Sequence, residues 1–148
     1  MRQLIVLLSI ATTLSGCVIA QPGHLYAITG PLSVQKPQAI FPVRLSGILN
    51  SGSISATLKD GEDCRGHWAV VPQDDTSAAA MSAVWDGVYG QGFFQANVLG
   101  NKAFARATLT GTRGTTLNVQ FYVRTPGAIM TAVGVAADNQ GDIFKLTF

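Results

Sequence analysis

The sequence is poor in the residues from which catalytic and metal sites are usually built. It contains two cysteines, two histidines and a single glutamate, Glu62. Two histidines and a cysteine scattered over separate segments do not have the spacing of metal ligands. Most of the seven aspartates stand in turn-forming contexts, which explains them without catalysis. We therefore expect no metal, no cofactor and no enzymatic activity.

Charged residues are also scarce, at 12% of the chain against about 25% in a typical soluble domain. The formal net charge is only +2, and nucleic-acid binding calls for a strongly basic face, so we expect no nucleic-acid partner. Serine, threonine, glutamine, asparagine and glycine must then fill the solvent-facing positions. Such a weakly charged surface is common in exported β proteins, and the alternative is that one face packs on a partner.

Long apolar runs are missing except at the start of the chain. A positive start at residues 1–3 precedes the run LIVLLSIA, residues 4–11, and small residues follow it. This layout is typical of a secretory signal peptide. The run is shorter than the roughly 20 apolar residues that a membrane-spanning helix needs, so we predict that residues 1–16 are a cleaved signal rather than an anchor.

The four residues Leu14-Ser15-Gly16-Cys17 resemble the lipobox of bacterial lipoproteins. The resemblance implies cleavage between Gly16 and Cys17, diacylglycerol on the Cys17 sulfur and further acylation, such as palmitate, on the new amino terminus. Two or three chains give firm membrane attachment. Val18 stands where an aspartate would favour inner-membrane retention, which implies an outer-membrane location facing the periplasm. The alternative is an ordinary secretory signal that contains a cysteine.

The remainder is predicted to be one β-rich domain, residues 24–148, joined to Cys17 by a short tether within residues 17–23. Leu117, Val119, Phe121 and Val123 alternate with polar residues, as in a half-buried strand. Turn signals at Asp60-Gly61, Gly100-Asn101 and residues 139–141 divide apolar runs. Three hairpins predict an antiparallel sheet, sandwich or barrel-like fold.

One segment departs from this alternation. In residues 76–88, Ala78, Met81, Trp85 and Val88 recur at helical spacing behind good capping residues. We predict one amphipathic helix that packs on the sheet and buries Trp85. A pair of strands around a turn is the competing interpretation.

Two further stretches, LKDGEDCRGHW (58–68) and GVAADNQGDIFKLTF (134–148), resemble a group of small bacterial envelope lipoproteins. These share a GE-x-C-x-G-x-W/Y segment and a closing GVA-x-DN-x-G strand pair, and the resemblance brings no known activity. Members often carry a second cysteine where this chain has Gly111, which implies that Cys64 has lost a bridging partner here. We expect Cys64 to be buried as a small hydrophobe, with pairing between chains as the alternative.

Asp63, Cys64 and His67 invite an active-site interpretation, but Cys64 and His67 point to opposite faces of a strand because their spacing is odd. Tyr89, Phe93 and Phe94 are a candidate binding patch, with one of the adjacent phenylalanines exposed on a strand. We predict a lipid-anchored envelope protein that binds an envelope protein partner through a sheet face or an unpaired strand edge. The alternatives are a small hydrolase using His67 with an aspartate brought near by the fold, and a carrier of apolar ligands.

Overall fold

The strands alternate inward and outward side chains around a closed barrel. The computed structural model describes residues 19–48, 50–72, 76–125 and 131–148. Within these ranges the strands are β1 (Ile19–Thr29), β2 (Ile40–Ile48), β3 (Ser51–Thr57), β4 (Asp63–Val70), β5 (Phe104–Gly111), β6 (Thr116–Thr125), β7 (Thr131–Asp138) and β8 (Ile143–Thr147). A short helix, α1 (Pro31–Gln35), follows β1, and α2 (Ser82–Tyr89) lies between β4 and β5.

Each strand pairs antiparallel with the next, and β1 also pairs with β8, so that the sheet closes. The predicted antiparallel fold is confirmed, and it is a barrel rather than a sandwich. Closure gives each of these strands a neighbour on both sides. Docking at an unpaired edge strand, one of the two predicted modes of contact, is therefore wrong, because closure removes the edges.

Side chains fill the interior of the barrel. An eight-stranded barrel is only wide enough for its own inward side chains or for one small ligand. Here Phe121, Phe144 and Leu146 are almost fully buried, and Trp68 stacks edge-on against Phe121 at 5.8 Å. The Trp68 indole Nε1 donates a hydrogen bond to the Ser46 carbonyl at 3.0 Å. The described side chains thus occupy the space that the carrier hypothesis requires to be empty.

The predicted helix is confirmed and lies on the outside of the barrel. It begins as a 3-10 helix, Thr76–Met81, and continues as α2. Trp85 is fully buried in a second apolar cluster, which α2 forms with the outer faces of β6 and β7. Among the described residues, no helix combines the length and the hydropathy needed to cross a bilayer.

The segment after α2 was expected to be a strand, and this prediction is wrong. Residues Phe94–Val98 form a single π-helical turn instead. The Asp86 carboxylate accepts a hydrogen bond from the Phe94 backbone N–H at 2.9 Å, which ties this turn to α2. Helical geometry brings Phe94 and Val98, four residues apart, close together in the outer cluster, whereas a strand would separate them by about 13 Å along one face.

The first strand begins earlier than the sequence indicates. β1 starts at Ile19 and pairs with β2 from Ile19 onward, so most of the predicted tether is part of the barrel. Pro22 is tolerated because pairing with β8 begins only at His24, and a proline fits a strand where no ladder donor is needed. The predicted hairpins at Asp60-Gly61 and residues 139–141 are confirmed as the β3–β4 and β7–β8 connections.

Candidate binding groove at the entry end of the barrel

The two ends of the barrel differ in what they carry. We call the end at which β1 begins the entry end; it also carries the β2–β3 turn, the helical insertion between β4 and β5, and the last residues of β6 and β8. The far end carries α1 and the connections β3–β4, β5–β6 and β7–β8. The antiparallel order of the strands fixes this division.

Trp85 organises the cluster outside the barrel. Its ring lies 5.6 Å from Tyr89, 6.1 Å from Phe93 and 5.9 Å from Tyr122, measured between centroids. The Trp85 indole Nε1 donates to Gln120 Oε1 at 2.8 Å. Gln120 points outward from β6 and is buried under the helix, so this hydrogen bond satisfies polar groups of both residues in an apolar setting.

A groove of about 400 Å³ runs beside this cluster on the side wall of the barrel. Tyr89 and Phe93, two members of the predicted patch, line it and stack on each other at 4.6 Å. Its other lining residues are Ala96, Asn97, Asn101, Tyr122, Val123, Arg124 and Val133. Phe94, the third member, is buried with 7% of its surface exposed, so its assignment to the surface patch is wrong; the π-helical turn directs it inward.

Tyr89 presents its ring rather than its hydroxyl to the groove. The hydroxyl donates to the Gly134 carbonyl at 2.8 Å, and burial raises the pKa of Tyr89 to about 12. The phenol therefore stays protonated at neutral pH. Lys145 Nζ lies 5.4 Å from the ring centroid, within the range of a cation–π contact.

Arg124 supplies the charge of the groove. It is exposed near the end of β6, on the same outward face as Tyr122. Aromatic rings beside an arginine suit a partner that offers an apolar surface with a nearby anionic group. Strand parity in the sequence places Arg124 on the outward face, but only the fold brings it beside Tyr89 and Phe93.

The far end carries a polar cleft of about 330 Å³ in which the carboxylates have protein partners. Glu62, 7% exposed, accepts hydrogen bonds from the backbone N–H groups of Arg113 and Thr115 and from the Thr115 hydroxyl. Asp142 accepts from the Leu32 N–H at 2.7 Å. Among the described residues, no group of three or more histidine, cysteine or acidic side chains could hold a metal ion. These carboxylates connect the loops of the far end to one another.

The residues that invited an active-site interpretation are not brought together. Cys64 is fully buried inside the barrel, while His67 is exposed on the outer face of β4, as their odd spacing predicts. Burial raises the pKa of the Cys64 thiol to about 11. The strand neighbours of His67 are Ser53 and Thr108. No hydrogen bond from the His67 ring to a described carboxylate is found, and His24 is likewise exposed, with its ring 6.1 Å from the Tyr26 ring.

Comparisons of the chain with models of known protein families, with curated proteins and with solved structures found no match. The resemblance to envelope lipoproteins therefore stays a prediction. Gly16 and Cys17, the predicted cleavage and lipidation residues, lie outside the described residues. Cys64 and Gly111, which the resemblance links, are direct partners in the β4–β5 register.

Proposed function

We propose that this protein is a lipid-anchored component of the bacterial cell envelope that acts by binding another envelope component. The observation that carries the proposal is the start of β1 at Ile19, two residues after the lipobox cysteine Cys17. Two residues span less than about 8 Å, so acyl chains on Cys17 would hold the entry end at the membrane surface. The predicted location is the outer membrane, facing the periplasm.

The groove beside Tyr89 and Phe93 is the best candidate for the binding surface. Tyrosine, phenylalanine and arginine are enriched in protein interfaces, and tyrosine and arginine often dominate their energetics. Tyr89 and Phe93 are fixed by stacking on Trp85, so little side-chain entropy is lost when a partner binds. A preformed groove of this kind favours an envelope protein as the partner.

The alternative functions have less support. A hydrolase that uses His67 would need a carboxylate within about 3 Å of the imidazole in a cleft, whereas the two open surface grooves that His67 lines, of about 660 and 540 Å³, include no described carboxylate. A carrier of apolar ligands would need an enclosed cavity of some 300 Å³, whereas inward side chains pack the barrel. Binding through an outer surface needs neither feature.

In-cell crosslinking followed by pull-down tests the proposal. Ala96→Glu places a charge in the groove, and Ala79→Glu places the same charge on an exposed alanine of the helical insertion outside it. We expect Ala96→Glu to lose the captured partner, and both Ala79→Glu and His67→Ala to keep it. Cys17→Ala should move the protein from the membrane to the soluble fraction. Equal partner capture by both glutamate variants would contradict the groove as binding surface, and unchanged fractionation of Cys17→Ala would contradict the anchor.

A further inference from the structure

The charged side chains are distributed unequally between the two ends of the barrel. Among the described residues, the connections at the far end carry three cations, Lys36, Lys59 and Arg113, and that end carries five side-chain carboxylates, which belong to Asp60, Glu62, Asp63, Asp138 and Asp142. The sixth described carboxylate, Asp86, lies in α2 and caps the Phe94 N–H. The strand ends and the β5 entry turn at the entry end carry Lys102, Arg106 and Arg124. Asp74 and Asp75 lie outside the described residues.

Two of these cations, Lys102 and Arg124, belong to neighbouring segments at the entry end. Phe104 pairs with Tyr122 in the β5–β6 register, and the Val123 N–H donates to the Ala103 carbonyl. Lys102 lies in the turn that precedes this ladder and Arg124 lies two residues beyond Tyr122, and both are exposed. An anionic surface that contacts both cations gains electrostatic attraction from each of them.

Exposed apolar side chains accompany the cations at the entry end. Leu99 is 59% exposed in the turn that leads into β5, and Ile48 is 50% exposed at the end of β2. The other large apolar side chains with high exposure, Ile28, Val34 and Ile40, lie in or beside α1 at the far end, where acidic groups outnumber basic ones. Both ends therefore combine exposed apolar side chains with cations, but among the described residues the cations outnumber the acidic side chains only at the entry end, where β1 begins two residues after Cys17.

We infer that the entry end rests directly on an anionic phospholipid surface, with Lys102 and Arg124 against the headgroups and Leu99 at the boundary with the acyl chains. The inference rests on the proposed function, because the acyl chains on Cys17 would bring this end to the bilayer. Each lysine or arginine near an anionic leaflet increases binding about fivefold. Aromatic side chains are enriched at the same depth, and Tyr89 and Phe93 lie beside Arg124. The groove is thus held at headgroup level, which restricts its partner to proteins at the membrane surface.

Fluorescent probes at the two ends of the acylated full-length protein test the inference. The protein is reconstituted in vesicles of phosphatidylcholine alone or of phosphatidylcholine with phosphatidylglycerol. An environment-sensitive dye is attached to Leu99→Cys at the entry end or, as the matched control, to Val34→Cys at the far end. Native Cys64 is fully buried and Cys17 is acylated, so the introduced thiol takes the label.

We expect the dye at position 99 to shift to the blue and to be quenched by spin-labelled lipid only in vesicles that contain phosphatidylglycerol. The dye at position 34 should report water in both. Lys102→Glu with Arg124→Glu should lower the ratio of membrane-contacting to hydrated dye at position 99 by at least about 25-fold, from two steps of about fivefold for the two lost cations. The pair Lys36→Glu with Arg44→Glu, which makes the same change of charge elsewhere, should leave the ratio unchanged.

Three results would overturn the inference, and they are distinguishable. If the protein floats with the vesicles but the dye reports water at both positions, the entry end does not touch the lipid, and the anchor proposal stands. If the protein does not float with either kind of vesicle, the anchor proposal and the inference both fail. Equal loss of the signal in the two double variants would show that net charge, rather than the entry-end cations, governs the contact.

Discussion

Glu62 offers the sharpest test of how the far end of the barrel is held together. Its carboxylate accepts hydrogen bonds from the Thr115 hydroxyl at 2.7 Å, the Arg113 N–H at 2.8 Å and the Thr115 N–H at 3.3 Å. The Thr115 hydroxyl bond is the main cause that lowers the pKa of Glu62 below its usual value, and burial opposes it. The remaining backbone bonds and the positive charge of Arg113 act in the same direction as Thr115. The folded protein therefore favours the charged carboxylate.

Removing the Glu62 carboxylate should lower the free energy of unfolding far more than removing only its charge. Glu62→Ala leaves the N–H groups of Arg113 and Thr115 without their acceptor, and each unsatisfied group costs about 1–3 kcal/mol. We expect a loss of about 3–5 kcal/mol in the free energy of unfolding. Glu62→Gln retains one carbonyl acceptor, and the Thr115 hydroxyl can accept a hydrogen bond from the new amide, so we expect a loss of about 1–2 kcal/mol from weaker hydrogen bonds.

The pH dependence separates the charge of Glu62 from its shape. Because the folded pKa is depressed, the stability that this charge contributes is fully present above the unfolded pKa, near 4.5, and is lost as pH falls through the folded pKa. Urea unfolding followed by the fluorescence of Trp68 and Trp85 should show a gap in unfolding free energy between wild type and Glu62→Gln at about pH 7 that narrows as pH falls below about 4.5. Burial raises the pKa of Asp138, but this contribution is common to both proteins and cancels.

Two results would refute this reasoning about Glu62. A gap that persists undiminished at about pH 3 would mean that the charge contributes nothing and that Glu62→Gln acts through packing. A Glu62→Ala variant as stable as wild type would mean that the loops find other acceptors for the freed N–H groups. Circular dichroism of each variant is the control that the barrel is still formed before unfolding.

Three further predictions concern buried groups. Cys64, fully buried with a pKa raised to about 11, should react with Ellman's reagent only as fast as the protein opens, and rapid labelling of the native state would contradict its burial. Gly111→Cys should form a disulfide on oxidation, because its Cβ would lie 2.9 Å from the Cys64 Sγ. For a loop of about 47 residues the chain-entropy gain from this disulfide is about 4 kcal/mol. The measured gain in unfolding free energy should be smaller, because the Cβ would overlap Glu62 Oε1. A failure to oxidise would contradict the β4–β5 register. Trp85→Phe should lower the free energy of unfolding in urea by about 2 kcal/mol or more, because Gln120 Oε1 loses its donor. Adding Gln120→Leu to this variant should recover part of that loss. No recovery would mean that the Trp85–Gln120 hydrogen bond contributes nothing to stability.

The parts of the fold that the sequence predicts are those governed by local rules. Leu117, Val119 and Phe121 alternate with outward residues because one face of β6 is buried inside the barrel. The β3–β4 hairpin turns at Asp60 and Gly61 because both adopt positive φ, 60° and 74°, a conformation that glycine and aspartate tolerate best. The helix around Trp85 follows from its apolar spacing.

The parts that it misses depend on contacts between distant segments. Closure pairs His24 with Thr147, and no local pattern distinguishes a closed barrel from a sandwich. Pro22 and Gly23 make the start of β1 resemble a tether, and its pairing with β2 overrides that preference. The adjacent Phe93 and Phe94 are compatible with a strand that exposes one of them. In the structure both lie on helical backbone and pack in the cluster outside the barrel. Tertiary burial outweighs local preference in both segments.

The position of the charges changes what the nearly balanced composition means. Ten basic and eight acidic residues give a net charge of only +2, which argues against nucleic acid because the electrostatic attraction to a polyanion accumulates over many phosphates. A membrane contact needs only the few cations within about a Debye length, 8–10 Å, of the headgroups. Lys102 and Arg124 satisfy that condition if the entry end faces the bilayer, and the acidic far end then points away from it. A separation of charge along the barrel axis can therefore orient an anchored protein whose overall charge is too small to attract it to the membrane.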